Sequence, residues 1–267
     1  MSDLVFCKLG GSLITDKTRE ATPRPEVISR LAREVREALE ARPALRLVLG
    51  HGSGSFGHFA AQRYQVHRGC ADWRGYAETG AAAARLNRLV VDAFLAEGVP
   101  VVAFQPSASA RCVGGELVEL AVRPLEGALA RGLVPVVYGD VALDDQQGSA
   151  IISTERVFGY LAGFLRPGRI VLAGEVDGVF TADPLRDPAA RLIPEIARHN
   201  IEEVRAALAG SRGVDVTGGM LSKVLDMLAL AREWPGLEAL LVSGLRPGWV
   251  REALAGNRPA PSTWLHE

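Results

Sequence analysis

Short apolar segments alternate with longer amphipathic segments along most of the chain, and this alternation restricts the fold more than any other feature of the sequence. Six segments have the length and β-branched content of buried strands: LVFCKLG, LRLVLG, VPVVAF, LVPVVYG, RIVLAG and EALLVSG. Helical spacing of apolar residues is found in RPEVISRLAREVREALEA, YAETGAAAARLNRLVVDAFLAEG, AVRPLEGALARG, TERVFGYLAGFL, IEEVRAALAG and GGMLSKVLDMLALAREW. The pattern predicts an α/β protein with a mainly parallel sheet, and RCVGGELVEL predicts a small hairpin with a Gly-Gly turn.

Glycine-rich loops follow several of the predicted strands. The first strand runs into KLGGSLITDK, the second into GHGSGSFGH, and later ones into YGDV and AGEVDGVFTADP, while GVDVTGGMLSK precedes a helix. Because ligands of parallel sheets bind beyond the carboxyl ends of the strands, we expect these loops to surround one site. Glycine lets backbone N–H groups approach an anion closely, and a helix N-terminus adds partial positive charge. The sequence therefore predicts an edge of the sheet that binds phosphate groups.

Lysine is nearly absent from this sequence. Of the 30 basic residues only Lys8, Lys17 and Lys223 are lysines, and the other 27 are arginines. Where arginine serves as the general surface cation, a lysine that remains indicates a position that requires a compact point charge. All three lie in or near glycine-rich or Ser/Thr-containing segments. This combination favours phosphoryl transfer, in which positioning and charge neutralisation matter more than covalent chemistry.

Other phosphate-binding motifs are missing or weak. The sequence contains no G-x-x-x-x-G-K-[ST] loop and neither of the protein-kinase signatures H-R-D and D-F-G. The closely spaced glycines of GHGSGSFG are only nominally a dinucleotide fingerprint, because no acidic residue at a strand end follows at the spacing that a ribose requires. These absences disfavour P-loop enzymes, eukaryotic-type protein kinases and dinucleotide-binding folds.

Length, charge and cysteine content narrow the class further. The 267 residues form one large domain or two lobes with a shared core, and the net charge of −1 suggests neither nucleic acid nor an anionic membrane as a partner. Cys7, Cys70 and Cys112 lie far apart and are expected to be free thiols. The N-terminus lacks the pattern of a signal peptide, and no apolar run approaches the roughly 20 residues of a membrane span. We therefore expect a cytoplasmic protein.

Five motifs, in order along nearly the whole chain, resemble those of the amino-acid kinase superfamily: KLGGSLITDK, HGSGSFGH, YGDV, DGVFTADP and DVTGGMLSK. GGSLITDK, GSFGH and DVTGGM are similar in particular to the isopentenyl phosphate kinase branch. The resemblance implies an open αβα sandwich with the amino-acid kinase fold, a homodimer, and ATP and Mg²⁺ as cofactors. It also implies a single domain over residues 1–267, with an acceptor-binding half of about residues 1–145 and a nucleotide-binding half of about residues 146–267.

The same resemblance implies roles for individual residues. The catalytic residues would be Lys8 at the transferring phosphoryl group, Lys17 at the transition state, Lys223 on the ATP phosphates and His58 on the acceptor phosphate. The nucleotide would be bound by Lys8, Gly10, Gly11, Ser12, Gly54, Glu175, Asp177, Gly178, Asp183, Gly218, Gly219 and Lys223. The acceptor would be bound by Gly52, Ser53, His58, Gly139 and Asp140, and no residue is assigned to a metal ion. His51 lies back toward the strand and is expected to be structural.

The sequence departs from the family pattern at three points. Ser53 stands where the family often has a third glycine, and STER, residues 153–156, stands where many relatives have SGDD. LAGEVDG replaces LTDVDG, so that Glu175 keeps a carboxylate while Gly174 removes a hydroxyl. These departures affect how the substrates are expected to bind and leave the expected reaction class unchanged.

Several functions remain open from the sequence. The resemblance implies ATP-dependent phosphorylation of isopentenyl phosphate to isopentenyl diphosphate, with isopentenyl phosphate as the small-molecule partner. A sister kinase for another small phosphate or phosphonate, such as a fosfomycin-type kinase, is the first alternative. A module that senses ATP without turnover is the second. The helix with Tyr76, Ala83, Leu86 and Val90 is compatible with a wall for an apolar acceptor tail and equally with ordinary core packing.

Overall fold

Strands and helices alternate as the sequence predicts in the computed structural model, which describes residues 2–66, 69, 72–209 and 219–267. Its strands are β1 Leu4–Leu9, β2 Arg46–His51, β3 Val101–Ala103, β4 Arg111–Val113, β5 Glu116–Glu119, β6 Val134–Tyr138, β7 Asp140–Asp144, β8 Gly148–Ile152, β9 Arg169–Gly174, β10 Val179–Phe180, β11 Leu192–Ile193, β12 Glu195–Ile196, β13 Glu238–Ser243 and β14 Thr263–Leu265. Its helices are α1 Gly11–Ile14, α2 Pro25–Ala41, α3 Gly54–Tyr64, α4 Trp73–Ala96, α5 Arg123–Leu129, α6 Thr154–Leu165, α7 Ile201–Ala209, α8 Gly219–Glu233 and α9 Trp249–Ala255. The predictions for Cys70 and Gly218 fall on residues outside these ranges.

The main sheet has eight strands in the order β12-β14-β13-β9-β1-β2-β6-β3. Its neighbouring strands are parallel except for the antiparallel pair β13 and β14. β1 lies near the middle, and its Lys8 is in register with Gly50 of β2 and Leu172 of β9. The carboxyl ends of these three strands therefore meet at one edge, as the sequence predicts.

Helices cover both faces of this sheet. Leu4 and Phe6 of β1 face one hydrophobic core, to which α6 and α8 contribute, and Val5 and Cys7 face a second core, to which α2, α4 and α9 contribute. Successive side chains of a strand point to opposite faces, so a strand that is apolar at every position requires apolar cover on both sides. The predicted αβα sandwich is confirmed. Cys7 and Cys112 are buried free thiols.

A second, four-stranded sheet in the order β5-β4-β7-β8 lies beside the main sheet. It contains the predicted hairpin, in which Gly114 and Gly115 have φ values of 60° and 88°. The neighbouring hairpin of β7 and β8 was not predicted. Asp144 joins the two hairpin turns, since its carboxylate accepts hydrogen bonds from the backbone N–H groups of Gly114, Gly115, Gln146 and Gln147 at 2.6–3.0 Å.

The segment after β2 differs from its prediction as a glycine-rich loop, because α3 begins within it at Gly54. The apolar residues Phe56, Ala60 and Ala61 of this helix are buried, and their burial stabilises a helix in spite of the glycines. None of the helices in the described ranges is long and apolar enough to cross a membrane.

Replacement of Asp144 by Asn tests the junction between the hairpins. Burial raises the pKa of Asp144, but the backbone N–H donors outweigh burial and hold the pKa at about 2. The amide of Asn offers one acceptor oxygen in place of two, so we expect Asp144→Asn to lower the free energy of unfolding by about 1–3 kcal/mol. Urea denaturation measures this loss, and Asp145→Asn, at an exposed neighbour that pairs with Arg111, is the control.

The pH dependence of this contribution has a definite sign. The pKa of Asp144 is lower in the folded chain than its ordinary value of 3.8. The stabilisation is therefore complete above pH 4 and is lost as the pH falls from about 4 toward 2. The difference in stability between the wild type and Asp144→Asn should shrink over this range, and a constant difference would contradict the assignment.

Candidate active site

Two glycine turns approach each other closely at the carboxyl edge of the main sheet, one between β1 and α1 and the other between β2 and α3. A Cβ atom on Gly11 would lie 2.7 Å from the backbone N of Gly54, and one on Gly52 would lie 2.9 Å from the backbone N of Gly11. Gly54 also has a φ of 52°, and a Cβ there would lie 2.4 Å from Thr15 Oγ1. These positions require glycine, because any side chain would separate the two turns.

A cavity of about 650 Å³ opens where the turns meet. It is lined by most of the residues to which the sequence predicts a role: Lys8, Gly10, Gly11, Ser12, Lys17, Gly52, Ser53, Gly54, His58, Gly139, Asp140, Glu175 and Lys223. β1, α3, β7 and α8 all contribute to this lining. The structure therefore brings residues from both halves of the sequence to one place.

Lys8 and Glu155 form a buried ion pair in the lining of the cavity. Their side chains are 11% and 4% exposed. Burial lowers the pKa of Lys8, and Glu155 opposes this effect. Burial would raise the pKa of Glu155, but Lys8 and Lys223 outweigh it and keep the pKa below its ordinary value. Glu155 is therefore the counter-ion that allows a charged lysine to lie inside the protein.

The other two lysines add positive charge to the same cavity. Lys223 and Lys17 both lower the pKa of Lys8 through charge repulsion, and all three side chains line the cavity. Among the described residues, neither Lys17 nor Lys223 forms an ion pair with a carboxylate. The cavity therefore holds cationic charge that a polyanion can neutralise.

The two histidines after β2 have different surroundings. His51 is fully buried, with its ring nitrogens 3.1 Å from Gly52 O and 3.1 Å from Asn87 Oδ1. Its ring stacks on that of Tyr138, and burial lowers its pKa. These contacts agree with the structural role expected for His51. His58 lies one turn into α3 and lines the cavity.

The cavity lining also contains small apolar side chains and a second buried carboxylate. Ala61, Ala83 and Ile151 line the cavity, as does Asp140, which is 3% exposed. Burial raises the pKa of Asp140, although the backbone N–H groups of Ser107 and Val141 donate to its oxygens. Leu86 and Val90 of the same helix as Ala83 belong to the hydrophobic core and not to the cavity wall.

Four residues predicted on the nucleotide side do not line the cavity. Asp177 forms two hydrogen bonds of 2.6 and 2.8 Å with the guanidinium of Arg246. Gly178 packs against Thr263, whose Oγ1 would be 2.4 Å from an added Cβ. Asp183 accepts a hydrogen bond from the N–H of Leu185 at 3.0 Å, and Gly219 opens α8 with a φ of 66°. In the described structure these residues shape the loop and the helix next to the cavity.

The sequence did not reveal the importance of Glu155. It lies in the first turn of α6 behind Ser153, whose hydroxyl accepts a hydrogen bond from the backbone N–H of Arg156 and so caps the helix. Thr154 donates a hydrogen bond of 2.7 Å to the carbonyl of His51 and thereby fixes this helix against β2. The available signal was an acidic residue in the first turn of a predicted helix, behind a serine that can cap it.

The chemistry of the cavity follows from these contacts. Three lysines and the backbone of the glycine turns face one cavity, and small apolar side chains form another part of its lining. Such a site suits a phosphate chain next to an acceptor with an apolar part. The described residues contain no group of three or more His, Cys, Asp or Glu side chains placed to bind a metal ion.

Sequence and fold are similar to those of known proteins. The sequence profile of the amino acid kinase family matches residues 3–242. The chain is 35% identical over 264 residues to the isopentenyl phosphate kinase of Methanothermobacter thermautotrophicus, an alignment that covers 95% of this chain and 96% of that protein. It is 38% identical over 255 residues to the isopentenyl phosphate kinase of Haloferax volcanii, with 92% and 98% covered. An X-ray structure of isopentenyl phosphate kinase superposes with a TM-score of 0.81 at 32% identity, covering 98% of this chain and 99% of that one.

The chain thus belongs to the amino acid kinase family, and its central sheet and flanking helices are those of that fold. Within the family, similarity over nearly the full length assigns it to the isopentenyl phosphate kinases.

Replacement of Glu155 by Gln tests whether it balances the charge of Lys8. The variant keeps the shape of the side chain but leaves a buried ammonium without a counter-charge, so we expect the free energy of unfolding to fall by about 3–5 kcal/mol. Chemical denaturation at pH 7 measures this change. Glu116→Gln, at an exposed carboxylate 3.6 Å from Arg156, is the control. A loss no larger than that of the control would mean that Lys8 does not depend on Glu155.

Proposed function

We propose that this chain transfers the γ-phosphoryl group of ATP to the phosphate of isopentenyl phosphate and so produces isopentenyl diphosphate and ADP. The observation that carries the proposal is the convergence of Lys8, Lys17 and Lys223 with two glycine turns on one cavity, in a member of the isopentenyl phosphate kinase family. The enzyme is accordingly a phosphotransferase whose acceptor is a phosphate group.

The reaction forms one bond and breaks one. An oxygen of the acceptor phosphate attacks the γ-phosphorus, and the bond from that phosphorus to the β–γ bridging oxygen breaks, so that ADP leaves. The second pKa of a phosphate monoester is about 6, so the attacking oxygen carries no proton at neutral pH. The reaction therefore needs no general base, and the protein lowers the barrier by in-line positioning and charge neutralisation.

The lysines supply most of this neutralisation in the proposal. Lys223, on α8, contacts the ATP phosphates, and Lys8 contacts the transferring group from the end of β1. Lys17 contacts the charge that develops in the transition state. The N–H groups of the two turns at Gly11 and Gly54 fit close to the phosphate oxygens because no side chain separates them from the cavity.

For the acceptor we propose a phosphate bound by His58 and the turn at Gly52 and Ser53, with Gly139 and Asp140 on the same side. The apolar tail would lie against Ala61, Ala83 and Ile151, which supply the neutral surface that a hydrocarbon chain prefers. A carboxylate in the acceptor tail would be disfavoured beside the buried Asp140, because the two negative charges would repel each other.

The nucleotide is assigned to the other side of the cavity. Gly10, Ser12 and Glu175 would border it directly, while Asp177, Gly178, Asp183 and Gly219 would act through the shape of the adjoining loop and helix. On this basis the acceptor-binding half spans about residues 1–145 and the nucleotide-binding half about residues 146–267. The proposal includes a homodimer, which rests on the family resemblance.

Mg²⁺ would enter the site as Mg-ATP. Magnesium usually keeps several waters and takes most of its other ligands from substrate phosphates, so it does not need a cage of protein carboxylates. The described cavity, with cationic side chains and no cluster of three acidic ones, fits a metal that arrives on the nucleotide. When bound, the ion would neutralise part of the charge on the ATP phosphates.

An ADP-release assay with Mg-ATP tests the proposed reaction. The acceptors are isopentenyl phosphate, dimethylallyl phosphate, geranyl phosphate, fosfomycin, N-acetylglutamate and UMP. We expect isopentenyl phosphate to give the highest kcat/KM and the polar acceptors to be poor. Turnover of a polar acceptor alone would move the enzyme to a sister branch of the family. ATP binding without turnover of any acceptor would support the sensor function.

Variants of His58 and Lys17 should separate acceptor binding from catalysis. His58→Ala loses a hydrogen bond to a charged phosphate. This loss should raise the KM for the acceptor by about 10- to 100-fold and leave the KM for ATP nearly unchanged.

Lys17→Ala should instead lower kcat by about 100- to 1000-fold, because it removes charge from the transition state. Steady-state kinetics measure both, and Arg19→Gln, an exposed cation in the same loop, is the control. If His58→Ala raised the KM for ATP as much as the KM for the acceptor, the assignment of His58 to the acceptor would be wrong.

A further inference from the structure

Lys17 lies outside the main sheet, in a short loop that we call the Lys17 loop, residues 15–24. The loop folds back on itself, since Thr15 and Pro23 form an isolated antiparallel bridge and the N–H of Asp16 donates to Thr22 O at 2.9 Å. It joins α1 to α2. Its position therefore depends on contacts with its neighbours and not on strand pairing within the sheet.

One set of contacts ties the Lys17 loop to α3, on the acceptor side. Ser55 takes part in three hydrogen bonds with the loop: its N–H donates to Thr15 Oγ1 at 2.9 Å, its hydroxyl accepts from the N–H of Thr22 at 3.1 Å, and its carbonyl accepts from the N–H of Ala21 at 3.4 Å. These contacts are local to the turn that begins α3. They fix the base of the loop but do not reach the nucleotide side.

A single ion pair ties the loop to the nucleotide side. Arg24 Nη1 donates to Glu175 Oε1 at 2.9 Å, and both side chains are about 30% exposed. Arg24 is the last residue of the loop and the N-cap of α2, while Glu175 directly follows β9 and lines the cavity. In the part of the chain that the structure describes, no other hydrogen bond or ion pair joins the Lys17 loop to residues 169–185.

We propose that the Arg24–Glu175 pair positions Lys17 and couples its position to the nucleotide. The inference rests on the proposed function, in which Lys17 acts on the transition state and Glu175 borders the nucleotide. A nucleotide bound at the segment after β9 would restrict the side chain of Glu175. Through the ion pair, Glu175 then restricts Arg24, which is the last residue of the Lys17 loop. Arg24 is thus a positioning residue that acts through Lys17.

Exposed ion pairs contribute little to stability, so a role of this kind appears in turnover more than in folding. A displacement of about 1 Å at a reacting group reduces the rate by up to about 100-fold. Arg24→Gln removes the charge that binds Glu175 but leaves the glycine turns, the lysines and the α3 contacts in place. We expect kcat to fall by about 10-fold, with the KM for the acceptor close to that of the wild type.

Kinetic measurements on combined variants test whether Arg24 acts through Glu175 and Lys17. If the pair acts as a unit, the double variant Arg24→Gln/Glu175→Gln should have a kcat no lower than that of the slower single variant. The charge reversal Arg24→Glu/Glu175→Arg should have a higher kcat than either of its single variants. In a Lys17→Ala background, followed in single turnovers, Arg24→Gln should cause no further loss. The same 10-fold loss in the Lys17→Ala background would overturn the proposal. So would additive losses of kcat when Arg24→Gln and Glu175→Gln are combined.

Arg33→Gln is the matched control. Arg33 lies on α2 and forms a comparable bond of 3.2 Å with Glu97, and neither residue lines the cavity. Its kcat should match that of the wild type. Equal losses of kcat in Arg24→Gln and Arg33→Gln, together with equal shifts in melting temperature, would contradict a positioning role. They would mean that both ion pairs act only through the stability of the protein.

Amide hydrogen exchange provides a measurement that does not depend on the acceptor. A non-hydrolysable ATP analogue with Mg²⁺ should slow exchange over residues 16–24 in the wild type and in Arg33→Gln, but not in Arg24→Gln. Absence of this protection in the wild type would refute the coupling. Protection together with no turnover of isopentenyl phosphate would keep the coupling and reject the proposed acceptor, so the two failures are distinguishable.

Discussion

The active edge of this protein depends on the close contact of two backbone turns. Gly11 and Gly54 lie so near to each other that a Cβ on the first would be 2.7 Å from the backbone N of the second. This contact places the ends of β1 and β2, and the helices that begin there, around one cavity. The parallel pairing of β1 with both β2 and β9 then adds the third side. Two phosphate groups can be adjacent in such a site only because the wall between them is bare backbone.

The electrostatics of the cavity follow from an imbalance of charge. Lys8 has a buried counter-ion in Glu155, whereas Lys17 and Lys223 have no described carboxylate in ion-pair contact. If every lysine had a protein counter-ion, no unpaired positive charge would remain to bind a phosphate chain. If Lys8 had no counter-ion, its charged form would be too costly to bury. Lysine suits this arrangement better than arginine, because a compact ammonium fits between closely spaced phosphate oxygens.

The sequence predicts the parts of the fold that depend on local pattern and misses those that depend on distant contacts. The apolar strands and the three lysines could be found because composition and spacing identify them. The start of α3 could not, since its glycines favour a loop and the helix is stabilised by buried Phe56 and Ala60. Glu155 was missed for a related reason: an acidic residue in the first turn of a helix is usually solvated, and only the fold brings Lys8 beside it. The motif around Asp177 likewise does not show its contact, because the carboxylate pairs with Arg246, which lies 69 residues further along the chain.

The groups at the site differ in how firmly the fold holds them. Lys8 lies within a strand paired on both sides, and the glycine turns are fixed by their contact with each other. Lys223 is on a helix packed against the hydrophobic core. Lys17 alone among the three lysines is carried by a loop outside the main sheet, which is held by side-chain and backbone contacts at its two ends. In the proposed function Lys17 acts on the transition state, while substrates must also enter and products leave. A loop suits such a group, because the sheet can stay rigid while the loop adjusts.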